Sequence, residues 1–253
     1  MTQPLIVFSV SFVVMCLAAQ FGFTLLRKWR PLDEEAREEF GVIQAATLTL
    51  LGLIIGFSFS MAVGRYDQRK NLEAAEANAI GTEFVRADLL PQADAARVRV
   101  LLKRYLDQRI LFYTARDDDD RQLRESEILT LKMHSDLWSA VQTPALAQPT
   151  SLMTLVVSGM NDVLNSQSYA QAGWWNRIPV TAWAMMMIIA VCCNVMLGYG
   201  ARSTKRYVNL LLVFPLLLSI ALLLIADIDS PRGGFIHVYP QNLQSLADSL
   251  KAY

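Results

Sequence analysis

Apolar residues gather into four uncharged runs along this chain, at 4–26, 41–64, 178–201 and 207–226. The runs hold 23, 24, 24 and 20 residues, and about 20 apolar residues at 1.5 Å rise suffice to cross a bilayer. Between the second and third lie 113 residues, 65–177, carrying 14 basic and 15 acidic side chains. The pattern predicts an all-α integral membrane protein: four transmembrane helices in two hairpins, with a helical extramembrane domain between the second and third. The expected organisation is a first hairpin at 1–64, the extramembrane domain at 65–177 and a second hairpin at 178–226. A C-terminal tail at 227–253 is expected to pack on the extramembrane domain.

The second span is not predicted to stop at the membrane. Leu72, Ala75, Ala79, Ile80, Phe84, Ala87 and Leu90 recur at three- and four-residue steps, which marks one buried helix face. Pro91 ends the pattern. A single helix over 41–90 would be about 75 Å long. Further helices are expected over 93–114, 121–141 and 151–169, the last capped by Thr150 or Ser151. Asp117–Asp120 reads as a turn, and Pro144 and Pro149 as the bounds of a linker. Trp174 and Trp175 are expected at the membrane–water interface. An extended piece at 235–239 and a short terminal helix from Gln241 complete the chain.

Composition narrows the function classes. The chain is 53% hydrophobic with mean hydropathy +0.30 and zero formal net charge. Basic and acidic residues are intermixed, so no nucleic-acid partner is expected. The first run lacks a preceding basic residue and carries Arg27, Lys28 and Arg30 after it, which predicts a retained helix rather than a cleaved leader. Cys16, Cys192 and Cys193 all lie inside spans, so neither a disulfide framework nor a cysteine metal site is expected. His134 and His237 stand far apart without metal-ligand spacing, and no phosphate-binding glycine loop occurs. The expectation is no enzyme, no cofactor and no metal. The four aspartates read as a solvated turn rather than a calcium cage. Basic residues flank the short loops seven to five over the opposite side: Arg27, Lys28, Arg30, Arg37, Arg202, Lys205 and Arg206 against Arg65, Arg69, Lys70, Arg177 and Arg232. Counted this way, the extramembrane domain falls outside the cell, and the orientation stays open.

Two stripes mark the second span. Gly52, Gly56, Ser60 and Gly64 repeat every four residues, as in helix faces that approach closely. Thr49, Leu53 and Phe57 repeat alongside. Either both stripes pack within a four-helix bundle, or one packs while the other lines an axis shared by several subunits. No span carries a charge, which speaks against a proton-coupled transporter. Asn194 and Asn209 are expected to bond between helices. At the foot of the same helix, Glu73, Glu76, Asn78, Glu83, Arg86 and Asp88 form the densest polar cluster. It reads either as a vestibule or ligand site, or as ion pairs and hydrogen bonds between helices.

The stretch GFSFSMAVGRYDQRKNLEAAEANAIGTEFVRADLLP, with the later DIDSPRGGFIHVYP, resembles the bacterial bestrophin-like domain family of membrane proteins. More distantly, Gly56-Phe57 followed by Arg65-Tyr66 looks like the second helix of the bestrophin anion channels. That resemblance implies a homo-oligomer, a pentamer in the bestrophins, embedded in the bilayer of the cell membrane. It implies a hydrophobic neck lined at Thr49, Leu53 and Phe57, small anions as the permeant species, and a cytoplasmic extramembrane domain. Thr49 stands where those channels carry an apolar residue. Their calcium clasp follows the fourth span, near Asp227 and Asp229 here, and two acids make a poor cage. The expected function is an oligomeric ion channel that conducts anions. The alternative is a non-conducting scaffold or sensor whose helical domain binds a protein or ligand.

Overall fold

The computed structural model describes residues 4–29, 32–115, 120–201 and 205–251. All regular structure among them is helical: α1 (Pro4–Phe21), a π-helical segment (Gly22–Leu26), α2 (Arg27–Trp29), α3 (Glu34–Arg86), a 3-10 turn (Ala87–Leu89), α4 (Gln92–Thr114), α5 (Asp120–Ala147), α6 (Ser151–Trp175), α7 (Val180–Gly200), α8 (Lys205–Asp229) and α9 (Gln241–Leu250). Arg30, Arg202 and the predicted turn residues Asp117, Asp118 and Asp119 lie outside the described residues, as do the side chains of Asp120, Lys205, Arg206 and Asn209. Among the described residues, four stretches are long and apolar enough to cross a membrane, within Pro4–Trp29, Glu34–Leu89, Ser151–Gly200 and Leu211–Asp229. The chain divides into two compact units, one of residues 1–65 and 177–237, the other of 66–176 and 238–253. The tail predicted as one piece is therefore shared, with its break at 237/238.

The first unit holds the apolar helices. Here α1 packs on α7 and α8, burying Met15 with Leu51, Met186, Ala190, Cys193, Leu218 and Leu222. The closest approach is between backbones. A Cβ on Gly22 would overlap the carbonyl oxygen of Val195, and one on Gly198 would overlap that of Ala19. Each helix thus offers its glycine to the other's main chain. Asn194, fully buried, donates to the carbonyl of Ala190 in its own helix at 2.7 Å. This corrects the interhelical bond predicted for it: the amide finds a nearer acceptor one turn back.

Carboxylates fasten the end of α8. Asp227 accepts from the backbone N–H groups of Phe235 and Ile236 at 2.7 and 2.8 Å. Gly234 makes room, since a Cβ there would lie 2.6 Å from Asp227 Oδ1. Asp229 accepts from Ile178 N at 3.1 and 3.0 Å and from Arg65 Nη1 at 3.4 Å.

The second unit is a helical bundle on a core of Ile80, Phe84, Val98, Leu102, Tyr105, Leu106, Leu137, Val156 and Met160, among others. Three features differ from expectation. First, α5 runs through Pro144 to Ala147, because proline removes one donor yet its own carbonyl still accepts from Gln148 N at 3.0 Å. Secondly, α6 extends to Trp175, with Thr150 capping Met153 N as expected. Thirdly, Trp174 is no interfacial anchor. It is 5% exposed and meets Phe112 and Tyr113 edge-on at 5.4 and 5.5 Å, while Trp175 is exposed.

Candidate functional site

The outward face of α3 within the first unit brings the two predicted stripes together. At about 100° per residue, Thr49, Leu53 and Phe57 fall on the side opposite Leu51, Ser58 and Ala62, which are the buried positions. Leu53 and Phe57 are 53% and 62% exposed, and Thr49, Gly52, Gly56, Ser60 and Gly64 are exposed as well. A Cβ added at Gly52, Gly56 or Gly64 would meet nothing within 4 Å. Among the described residues, nothing in the chain packs on the glycine stripe, and Leu53 and Phe57 stay mostly exposed beside it. In the most apolar 18 residues of α3 only 6% are buried, against 28%, 22% and 44% in the other three spanning stretches.

Thr49 is less of an exception than its side chain suggests. Its hydroxyl donates to the carbonyl of Ala45 at 2.9 Å, which satisfies the polar atom inside the helix and leaves the methyl to face outward. The whole exposed face carries no charge between 41 and 64.

The polar cluster lies in the second unit, and its members go to separate partners. Glu73 accepts from Asn242 Nδ2 at 2.6 Å and from Leu243 N at 2.9 Å, supplying the N-terminal cap that α9, preceded by Pro240, lacks. A carboxylate suits that helix end. Glu76 pairs with Arg109 of α4 and accepts from Tyr113 at 3.1 Å. Asp88 is exposed and pairs with Arg99, Asn78 is exposed, and Arg86 donates to the carbonyl of Leu155 at 3.4 Å. Glu83 is buried and its oxygens have no hydrogen-bond partner among the described residues. The set does not converge on one pocket.

Electrostatics around Glu76 follow from burial. Arg109 is 1% exposed and stacks 4.3 Å over the Phe112 ring. Burial opposes its charge, but the Glu76 carboxylate more than offsets that and holds it protonated. The Tyr105 and Tyr113 hydroxyls are pushed up, first by burial and then by the Glu76 charge. His134 lies 3.3 Å from the Tyr105 hydroxyl, and burial, with Arg109 nearby, lowers its affinity for a proton. Glu76, Arg109 and Tyr113 thus form a buried, mutually paired set.

Sequence reading missed Arg109, Tyr113, Gly22, Gly159 and Gly198. An arginine among apolar helix positions was the available signal for the first; the glycines stand singly, so no spacing marks them. Among the described residues, no three His, Cys, Asp or Glu side chains gather as metal ligands.

The sequence profile of the bestrophin-like domain matches residues 8–243. No curated protein sequence matches the chain. Its fold is similar to a bacterial bestrophin homologue from Klebsiella pneumoniae carrying a tryptophan-to-alanine change, with TM-score 0.68 at 13% identity, over 100% of this chain and 97% of that one. An aspartate-to-alanine variant of that bacterial homologue gives TM-score 0.66 at 13% identity over 99% and 98%. The zinc-phased structure of the Klebsiella homologue gives 0.64 at 13% identity over 98% and 95%.

Proposed function

We propose a function from one premise: the chain belongs to the bestrophin-like domain family. It is an ion channel of the cell membrane, spanning it several times and assembled from identical copies. Its α3 helices surround a shared axis, and Thr49, Leu53 and Phe57 form an apolar neck for small anions. In this reading Gly52, Gly56, Ser60 and Gly64 sit where α3 meets α3 of the next copy. The resemblance to the bestrophins, which are pentamers, makes five copies the first number to test.

The observation that carries the reading is the uncovered face of α3. A spanning helix whose glycine stripe meets nothing among the described residues of its own chain, and whose Leu53 and Phe57 are mostly exposed, is poorly employed in a monomer. Lipid would cover leucine and phenylalanine at little cost, yet glycines facing lipid contribute no packing. An apolar ring without charge can still pass ions, gating by wetting, and backbone dipoles can favour anions without a basic lumen. No reaction chemistry is assigned to the protein.

Planar-bilayer recording of the purified assembly tests this reading. Phe57→Ala is expected to raise unitary conductance several-fold, because it removes the largest side chain from the narrowest ring. The fold should be unharmed, since Phe57 is 62% exposed in its own chain. A well-folded assembly that stays silent in every salt and pH, in both forms, would instead support a membrane scaffold.

A further inference from the structure

Glu83 occupies the second-unit part of α3 in an unusual state. It is 0% exposed, and neither carboxylate oxygen has a hydrogen-bond partner among the described residues. Its neighbours Ile80, Phe84 and Ala87, with Val156, Met160 and Val163 of α6, belong to one apolar core. The carboxyl is seated on Gly159 of α6, where a Cβ would overlap Oε2. A buried charge without hydrogen bonds is too costly to keep, and such a group neutralises instead.

The charged groups around it do not change that outcome. Arg86, one turn along α3, has Nη1 2.5 Å from the place a Gly159 Cβ would take, but donates to the carbonyl of Leu155 rather than to Glu83. Asp162, exposed on α6, adds a like charge. Asp88, beyond Arg86, is paired with Arg99 of α4. Burial therefore prevails over the pull of Arg86, aided by Asp162, and pushes the carboxyl up from 4.5 to about 8.

We propose that Glu83 and Gly159 form a proton-operated latch between α3 and α6, closed while the carboxyl is neutral and released when it ionises. An ionised Glu83 must draw in water or pull Arg86 off Leu155, and either change loosens α6 at Gly159. The folded protein holds this proton more tightly than the unfolded chain. The latch is thus fully stabilising below about pH 4.5, weakens as pH rises, and has lost its contribution above about pH 8. It stands whether or not the protein conducts.

The test uses the full chain in detergent, with Glu83→Gln as a permanently neutral isostere. Unfolding is followed from about pH 6 to pH 9. Relative to Glu83→Gln, the wild-type folding constant is expected to fall about tenfold per pH unit up to about pH 8 and to level off beyond it, as one released proton requires. Hydrogen exchange in α6 should rise over the same interval in the wild type, relative to Glu83→Gln. Gly159→Ala fills the seat, and should lower stability while flattening the pH dependence. Parallel stability profiles for wild type and Glu83→Gln would overturn the latch. So would a folded Gly159→Ala protein that keeps the wild-type slope. Should Gly159→Ala fail to fold, the glutamine comparison decides alone.

Discussion

Replacing Arg109 with alanine is expected to remove about 3–5 kcal/mol of stability, the usual cost of stripping one partner from a buried ion pair. Glu76 is 0% exposed and would keep only the Tyr113 hydroxyl as a donor among its described partners. The guanidinium also stacks on Phe112, so its truncation leaves a void as well as a lone charge. Trp174 meets both Phe112 and Tyr113, and its fluorescence should report the loss directly during chemical unfolding in detergent. The paired change Glu76→Leu with Arg109→Met should recover most of the stability, since no charge then remains buried. If Arg109→Ala unfolds at the wild-type midpoint, the pair does not stabilise the second unit.

The second large effect is expected at Gly198. Valine there is expected to cost at least the upper end of the range of about 1–3 kcal/mol typical of overpacking. The obstruction is the carbonyl oxygen of Ala19, which cannot swing aside as a side chain would. Helices α1 and α7 would have to part along their whole seam. Gly56 makes the contrast. Nothing lies within 4 Å of its missing Cβ, so Gly56→Ala should leave the fold of a single chain unharmed, or stabilise it by up to about 1 kcal/mol through helix propensity. Equal damage from the two substitutions in detergent-unfolding experiments would contradict this division of glycine roles.

These glycines also show what could be read in advance. Hydropathy located four membrane-length stretches because a bilayer imposes length and apolarity on any helix that spans it. The three- and four-residue recurrence from Leu72 to Leu90 revealed the continuation of α3, since Ala79, Ile80, Phe84, Ala87 and Leu90 pack in the second unit's core; at its start the predicted face fails, because Ala75 is exposed and Leu72 half-buried. The regular spacing of Gly52, Gly56, Ser60 and Gly64 was equally visible, but spacing cannot say what a stripe faces. Within the chain it faces nothing, while the glycines that touch another backbone, Gly22 and Gly198, belong to no repeat. The polar cluster was legible as residues and not as a site. Its partners Arg109, Tyr113 and Leu243 come from positions far along the chain, and pairing at that range depends on the fold. Trp174 was misplaced for a related reason. Proximity to a span favoured the interface, but the aromatic pocket of Phe112 and Tyr113 lies elsewhere in the sequence.

The π-helical turn at Gly22–Leu26 has a consequence for indels that no hydropathy profile would flag. Its wider turn accommodates one more residue than an α-helical turn would, which resets the angular phase of everything after it by about 100°. Upstream, Gly22 is pressed to Val195; downstream, Arg27 reaches the carbonyl of Ala201 at 2.9 Å. A one-residue deletion there would leave the span amply long and just as greasy. It would nonetheless force a choice between those two anchors, so the length of this segment is set by rotation, not by membrane thickness.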